Sequence, residues 1–344
     1  MMSESKIKIL IIEDSGLMRI LLSEILRSDR SFTVVGTAKN GLDGVNKAKE
    51  LKPDVIITDM IMPEYDGLFV VRALMKQMPL PILLLSSLTR ASPQIFDALR
   101  EGAFDFLDKP QKENIASGYP QLIQMVKEAN MSDFLQIRKQ SRGTNLAVHT
   151  FEPRVNYDII AIGASTGGPG AIEFIVTNIP ANLAIPVIIV QHMPERFIIS
   201  FAERLAATTG LKVKVAADGE VLLPLHIYLA PGTSNIRLDR NSSISPVVRY
   251  VSDDYKEYNK PSIDCLFESV GEMYGKRAIG VVLTGMGKDG TAGLLKIRNA
   301  GGFTVTQDEA SSVIYGMPKS AFESGAAMHQ IPLNEIPIFI ISAL

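Results

Sequence analysis

The sequence predicts an α/β protein built from two doubly wound parallel-sheet domains that are joined by a linker. Short apolar runs alternate with segments of helical periodicity along most of the 344 residues, which is the pattern of parallel strands connected by crossover helices. Two such series are present, and a stretch with little apolar spacing separates them. We therefore predict domains over residues 1–125 and 157–344 and a linker over residues 126–156.

Composition excludes several classes of protein. The net charge of -2 provides no general attraction for nucleic acid or an acidic membrane surface. No run reaches the ~18 apolar residues of a membrane span, and no apolar signal segment precedes the first strand, so we expect a cytoplasmic protein without direct membrane insertion. The single cysteine, Cys265, makes disulfides unavailable and suits a reducing compartment. With one cysteine and four scattered histidines, a structural zinc site is not expected.

The first domain is predicted from five apolar strands with helical segments between them. Ile7–Ile12 is a nearly continuous apolar run, as in a central strand that is covered on both faces. Helical spacing follows it from Leu17 to Ile25 and returns from Gly41 to Leu51. The other predicted strands are Thr33–Val35, Asp54–Thr58, Pro81–Leu85 and Phe104–Leu107.

Polar residues follow four of these strands at the point where each one ends. Glu13 and Asp14 follow the first strand, Asp59 the third, Ser86 the fourth and Lys109 the fifth. Neighbouring carboxylates are costly without a bound cation, and oxygen ligands in an open crevice suit Mg²⁺ that shares its coordination with a phosphate. In this interpretation Lys109 completes the charge balance and the Ser86 hydroxyl holds a phosphoryl oxygen. The alternative is that these residues are only the solvated starts of loops.

The same residues resemble the signature of response-regulator receiver domains. The resemblance includes Glu13-Asp14, the segment Asp59-Met-Ile-Met-Pro-Glu-Tyr-Asp-Gly67, Ser86 and Lys109-Pro110, and it covers the whole first domain. It implies a flavodoxin-like fold in which Asp59 accepts a phosphoryl group from a histidine kinase. It also implies that Glu13, Asp14 and Asp59 hold Mg²⁺. Ser86, Phe106 and Lys109 would then report phosphorylation, although Phe106 alone reads equally as a core aromatic residue.

The predicted linker has a different composition from the two domains. Helical spacing continues from Val126 to Ile137, but residues 139–153 are mostly polar with little apolar periodicity, as is typical of a linker or hinge. Its basic residues are interpreted as a solvated surface. His149 lies in this stretch and is therefore a poor candidate for catalysis.

The second domain shows the same alternation of strands and helices. After the strand Ile159–Ile162 comes a Gly-rich corner and helical spacing from Ala171 to Val176. The later predicted strands are Ala184–Val190, His226–Ala230, Ala278–Leu283 and Phe303–Thr306, and the later helices are Phe197–Ala207 and Thr291–Ala300.

Three reactive side chains lie at the carboxyl ends of these strands. Ser165 sits in Gly163-Ala-Ser-Thr-Gly167, which fits the G-x-S-x-G pattern of a nucleophile turn, although a phosphate-binding or plain tight turn fits the same residues. His192 directly follows a buried strand, and Asp289 lies in the Gly-rich turn after another. Because such strand ends line one crevice, we predict a nucleophile, a base and an orienting acid. Alone, His192 reads as a turn residue and Asp289 as the start of a helix.

The motifs around this trio resemble the catalytic domain of the chemotaxis protein-glutamate methylesterase family. The matching segments are Ile162–Gly168, Gln191–Pro194, Phe201–Leu205, Leu229–Gly232, Pro261–Asp264, Leu283–Gly290 and Tyr315–Pro318. The resemblance implies a Rossmann-like methylesterase domain with Ser165 as nucleophile, His192 as base and Asp289 as acid. It places Met286 and Thr166 near the oxyanion. The order Ser, His, Asp differs from that of α/β-hydrolases.

Together the two resemblances imply a phosphorylation-activated hydrolase of glutamate methyl esters on chemoreceptors, which also deamidates glutamines. The implied partners are methyl-accepting chemoreceptors as substrate and a chemotaxis histidine kinase as phosphodonor, and no nucleic acid. Mg²⁺ is needed for phosphorylation, and no cofactor is expected for hydrolysis. Two other functions remain open at this stage. One is a phosphorylation-controlled binding protein, and the other is a transcriptional regulator, which the absence of a basic recognition helix disfavours.

Overall fold

A computed structural model describes residues 6–86, 93–110, 119–132, 156–240, 246–252, 255 and 260–343. The chain divides into two compact units, Met1–Lys139 and Gln140–Leu344. Most of the predicted linker, including His149, lies outside the described residues. The first six linker positions form the end of the helix Pro120–Met131.

The first unit is a five-stranded parallel sheet with the strand order β2-β1-β3-β4-β5. Its strands are β1 Ile7–Ile12, β2 Phe32–Ala38, β3 Val55–Asp59, β4 Ile82–Ser86 and β5 Asp105–Asp108. Its helices are α1 Gly16–Arg27, α2 Gly41–Leu51, α3 Gly67–Gln77, α4 Pro93–Glu101 and α5 Pro120–Met131. The order reverses direction after β1, which is the doubly wound topology predicted from the sequence.

Local sequence explains the starts of three of these helices. The side chains of Ser15, Asn40 and Asp66 each accept a hydrogen bond from a backbone N–H in the first turn of α1, α2 and α3. These residue types are preferred N-caps because they satisfy amide groups that the helix cannot bond itself. Each helix therefore begins directly after the loop at the carboxyl end of a strand.

The second unit has a seven-stranded sheet with the order β14-β13-β12-β6-β7-β9-β8, in which every neighbouring pair is parallel. Its strands are β6 Ile159–Ala164, β7 Val187–Gln191, β8 Lys212–Val215, β9 His226–Leu229, β12 Ala278–Val282, β13 Phe303–Gln307 and β14 His329–Ile331. A separate antiparallel ribbon pairs β10 Asn235–Arg240 with β11 Pro246–Val251. The sequence did not predict β8, β14 or the ribbon.

Helices cover this second sheet. They are α6 Gly168–Asn178, α7 Glu195–Thr208, α8 Ile263–Tyr274, α9 Thr291–Asn299, α10 Met317–Glu323 and α11 Ile336–Ser342. The core contains the sheet residues Ile188 and Val282 and the α8 residues Leu266 and Phe267, all fully buried. Among the residues described, no helix combines the length and apolarity needed to cross a membrane.

Two predicted boundaries in the second unit change for a physical reason. The strand expected over Ala184–Val190 begins only at Val187, because Pro186 has no N–H to donate to the sheet. The helix expected from Ala171 begins three residues earlier, at Gly168, because Pro169 is well tolerated in a first helical turn. The second change brings regular helix closer to the Gly-rich corner that holds Ser165.

Candidate active site and phosphoacceptor site

Ser165 lies in the tight turn between β6 and α6. Its N–H donates to the Thr284 carbonyl at 3.0 Å, and its own carbonyl accepts the Gly168 N–H at 2.7 Å. Gly167 completes the turn with a φ of 75°, in the left-handed region that favours glycine. Gly285 also lies close, because a Cβ added there would be 2.6 Å from the Ser165 Cβ. The turn therefore fixes Ser165 between two loops at the carboxyl edge of the sheet.

The sheet order brings the three predicted catalytic residues to one edge. Strands β12, β6 and β7 are neighbours, and Asp289, Ser165 and His192 lie in the segments that follow them in that order. The His192 N–H donates to the Ala164 carbonyl at 3.0 Å, so the base-bearing segment is bonded directly to the residue before Ser165. The prediction that the three residues meet in one crevice required the strands before them to be neighbours in the sheet, and β12, β6 and β7 are neighbours.

His192 and Asp289 form a buried pair. The Nε2 atom of His192 lies 2.9 Å from Oδ2 of Asp289, and their side chains are 7% and 3% exposed. With Nε2 donating to the carboxylate, the proton-accepting nitrogen of a neutral imidazole is Nδ1. This arrangement fixes the tautomer that a general base requires.

The Asp289 carboxylate is held by the amino-terminal end of α8. Its oxygens accept backbone hydrogen bonds of 2.8, 2.9 and 2.9 Å from Ile263, Asp264 and Gly290, and the Ser262 hydroxyl lies 3.2 Å away. Burial acts to raise the pKa of Asp289, but the bonds from His192 and from the backbone outweigh it and lower the pKa. The carboxylate is therefore charged and immobile. Asp289 also directly precedes the start of α9, as the alternative interpretation expected. Its side chain accepts the Gly290 N–H there and binds the first turn of α8 as well.

Sequence reasoning gave no role to the residues that hold Asp289. Ser262 and Asp264 entered only as parts of a matching motif, and Asp264 is itself 2% exposed. Burial raises the pKa of Asp264 to about 6, while the Gly293 N–H donates to its carboxyl at 2.7 Å. The signal available in the sequence was a serine followed by an aspartate at the start of an apolar periodic segment, which is typical of a helix N-terminus.

Met286 and Thr166 lie on the two loops that flank Ser165. Thr166 is 8% exposed, and its carbonyl accepts the Thr284 hydroxyl at 3.0 Å. Met286 follows Gly285 directly and is 41% exposed. Thr166 is therefore part of the nucleophile turn and Met286 lies on the loop beside it, and their contribution to an oxyanion site stays a prediction.

In the first unit, Glu13, Asp14 and Asp59 come together after β1 and β3. One ligand oxygen from each lies within 4.8 Å of the others. Glu13 and Asp59 are buried and Asp14 is exposed. Lys109, after β5, places Nζ 2.8 Å from a Glu13 oxygen and 2.7 Å from an Asp59 oxygen. The predicted cluster of acids and lysine therefore forms one compact site.

The electrostatics of this cluster fit a divalent cation. Burial raises the pKa of Glu13 to about 7 and also raises the pKa of Asp59. Burial disfavours the charged form of Lys109, but its hydrogen bonds to Asp59 and Glu13 outweigh that effect and raise its pKa. The carboxylates are thus short of positive charge, and an all-oxygen ligand set of this kind suits Mg²⁺.

The two predicted switch residues lie on adjacent strands. Ser86, at the end of β4, is fully buried, and its hydroxyl has no hydrogen-bond partner among the described residues. Phe106, on β5, is 8% exposed and packs edge-on against Phe96 with ring centroids 6.5 Å apart. The binding of a phosphoryl oxygen by the Ser86 hydroxyl stays a prediction, and Phe106 is a core aromatic residue in this structure.

Comparisons with known proteins give matches in both units of the chain. Residues 9–117 match the response regulator receiver domain model, and residues 160–340 match the CheB methylesterase model. A protein-glutamate methylesterase/protein-glutamine glutaminase of Chromohalobacter salexigens is 41% identical and covers 98% of this chain and 96% of its own. Its counterpart in Thermotoga maritima is 37% identical over 98% of both chains. This chain belongs to the protein-glutamate methylesterase/protein-glutamine glutaminase family.

A solved structure of this methylesterase family supports the same assignment. The crystal structure of the Thermotoga maritima CheB methylesterase catalytic domain is 38% identical, with a TM-score of 0.53, and covers 55% of this chain and 100% of that one. The predicted fold class, two parallel-sheet α/β domains, is confirmed. The predicted enzyme class, a carboxylic ester hydrolase, is confirmed by the family.

Proposed function

We propose that this chain is a phosphorylation-activated serine hydrolase that demethylates glutamate methyl esters, and deamidates glutamines, on the cytoplasmic helices of chemoreceptors. The observation that carries the proposal is the buried 2.9 Å pair of His192 and Asp289 on the strand-end segments beside Ser165. A serine, a tautomer-fixed imidazole and a charged carboxylate at one sheet edge are the groups that acyl transfer needs.

In the proposed mechanism the Ser165 hydroxyl attacks the γ-carbonyl carbon while Nδ1 of His192 takes its proton. The tetrahedral intermediate collapses, and His192 returns that proton to the departing methoxide, which leaves as methanol. Water then attacks the acyl-enzyme, again with His192 as base, and glutamate is released as Ser165 regains its proton. With a glutamine substrate the leaving group is ammonia. Asp289 stays ionised throughout and stabilises the imidazolium.

The surroundings of Ser165 supply positive potential for the oxyanion. Helix α6 begins at Gly168, three residues after the nucleophile, and the start of a helix presents unbonded N–H groups and a partial positive charge. We assign Met286 and Thr166 to the same region. The loss of one well-placed oxyanion donor costs about 10²–10³-fold in rate.

We infer that Asp59 is the phosphoacceptor and that a chemotaxis histidine kinase is the donor. Glu13, Asp14 and Asp59 would hold Mg²⁺, which when bound neutralises charge on the transferred phosphoryl group. Lys109 and the Ser86 hydroxyl would then bind phosphoryl oxygens. Phosphorylation of Asp59 would break its 2.7 Å bond to Lys109 and so would directly change the contacts within this site.

The test is methanol release from methylated receptor membranes, measured with and without a small phosphodonor and Mg²⁺. Wild type, Ser165→Ala and Asp59→Asn are compared. We expect no release from Ser165→Ala, and stimulation by phosphodonor only when Asp59 is present. Unchanged release from Ser165→Ala would overturn the hydrolase mechanism. No release from wild type despite phosphorylated Asp59 would instead favour a binding protein.

A further inference from the structure

The buried side chain of Gln191 connects the nucleophile segment to the base segment. Gln191 is the last residue of β7 and is 2% exposed. Its Nε2 atom donates to the Ser165 carbonyl at 2.9 Å and to the His192 carbonyl at 3.1 Å. A primary amide has two N–H groups, so both are used, one on each of the two residues that must exchange a proton.

The orientation of this amide is determined by its surroundings. A rotation that exchanged oxygen and nitrogen would place Oε1 against two carbonyl oxygens, which is repulsive. In the observed orientation, Oε1 faces the start of α6, and a Cβ added to Gly168 would lie 2.1 Å from it. Only glycine at 168 leaves room for the amide. The oxygen also has no hydrogen-bond partner among the described residues. The partial positive charge at the start of α6 stabilises it there.

The bonds around Gln191 make one rigid unit of the two segments. The Ser165 carbonyl accepts both the Gly168 N–H and the Gln191 amide, and the His192 N–H donates to the Ala164 carbonyl. Removing the amide would leave only backbone pairing to connect the segments, namely the pairing of β6 with β7 and the bond from the His192 backbone N–H to the Ala164 carbonyl. The separation of the Ser165 hydroxyl and the His192 ring would then be less tightly set.

We propose that Gln191 is a positioning residue that sets the distance and orientation between Ser165 and His192. The proposal rests on the proposed function, because it assigns Gln191 a part only if these two residues are nucleophile and base. Misplacement by about 1 Å of groups that transfer a proton can cost about 10²-fold in rate. Substrate affinity should change little, because the amide is buried and faces the turn.

The experiment uses the full chain in two variants, Gln191→Met and Gln191→Asn. Methionine has a similar length and no donors, whereas asparagine keeps the amide but is too short to reach both carbonyls. The measurements are kcat and KM on methylated receptor membranes, the rate of Ser165 labelling by a fluorophosphonate, and the melting temperature. Ser269→Ala is the control for stability, because it removes a buried hydroxyl that bonds Leu238 and Leu266 away from the site.

We expect kcat and the labelling rate to fall together by about 10–100-fold in Gln191→Met, with KM within about threefold. Gln191→Asn should have a kcat and a labelling rate between those of wild type and Gln191→Met. Ser269→Ala should have a lower melting temperature than wild type and the same kcat. Folded Gln191 variants whose kcat and labelling rate match wild type would overturn the positioning role. Wild type that is not labelled at Ser165, or an active Ser165→Ala, would instead overturn the proposed function itself.

Discussion

Replacing Asp289 with asparagine is expected to remove most of the hydrolase activity while the domain stays folded. One Asp289 oxygen accepts three hydrogen bonds, from two backbone N–H groups and the Ser262 hydroxyl. The other accepts two, from the Ile263 N–H and His192 Nε2. An asparagine will keep its oxygen where three donors converge, so its NH₂ group will face Ile263 and His192.

That placement changes the tautomer of His192. A donor opposite Nε2 requires Nε2 to carry the lone pair, so the proton moves to Nδ1, and the nitrogen that should accept the Ser165 proton is lost. The same exchange in a serine protease triad lowers kcat about 10⁴-fold, and we expect a loss of about 10³–10⁴-fold, or about 4–5.5 kcal/mol of transition-state stabilisation. The Ile263 N–H also loses its acceptor, at a cost of about 1–3 kcal/mol in stability.

The assay is methanol release by phosphodonor-activated full chain, with the melting temperature recorded for every variant. Asp264→Asn is the matched control, because it neutralises a neighbouring buried carboxyl that bonds Gly293 and not His192. Its loss should stay below about tenfold, since an amide oxygen can still accept that backbone bond. A folded Asp289→Asn that kept activity within tenfold of wild type would refute the assignment of Asp289 as the residue that fixes the tautomer.

Three further predictions concern other parts of the chain. Lys109→Met leaves two buried carboxylates unpaired, so the free energy of unfolding of the receiver should fall by about 3–5 kcal/mol. Mg²⁺ should then raise the melting temperature of the variant more than that of wild type. Equal increases in melting temperature would refute this prediction. Burial raises the pKa of Glu128 from 4.5 to about 6, so the folded receiver favours the protonated form and its free energy of unfolding should fall by about 2 kcal/mol as pH rises across that interval. Urea titrations should show a smaller fall in Glu128→Gln, and identical slopes would contradict the burial argument. Gly285→Ala places a Cβ 2.6 Å from that of Ser165 and should lower kcat about 10–100-fold, which unchanged methanol release would disprove.

The elements predicted best from the sequence are the buried strands, because a run of apolar residues can be recognised without knowing which strands lie next to it. Strands β3 and β12, and β1 from Ile9 onward, are buried on both faces, so they appear as nearly continuous apolar runs between turns. Strand β8 has the sequence Lys-Val-Lys-Val at the edge of its sheet, and β10 pairs with β11 in a separate ribbon. The alternation of polar and apolar residues in β8 covers only four positions and β10 has only six residues, so these strands are defined largely by their partners.

Some parts of the candidate site could likewise be predicted from the sequence, and other parts could not. Ser165, His192 and Asp289 could be selected because each follows a strand, and parallel strands place such residues at one edge. The contacts of Gln191, and the three-residue start of α8 that holds Asp289, depend on distances between segments far apart in the chain. They arise only when β12, β6 and β7 pair in their observed register, which no local pattern specifies.

The central claim is that Ser165 forms a covalent acyl intermediate with the help of His192. The most direct measurement is rapid acid quenching of full chain during turnover of a methylated receptor segment, followed by proteolysis and mass spectrometry. We predict a γ-glutamyl adduct on the peptide that contains Ser165, its absence in Ser165→Ala, and slower formation in His192→Gln. Methanol release at the wild-type rate by Ser165→Ala, or an adduct on another residue, would contradict the account.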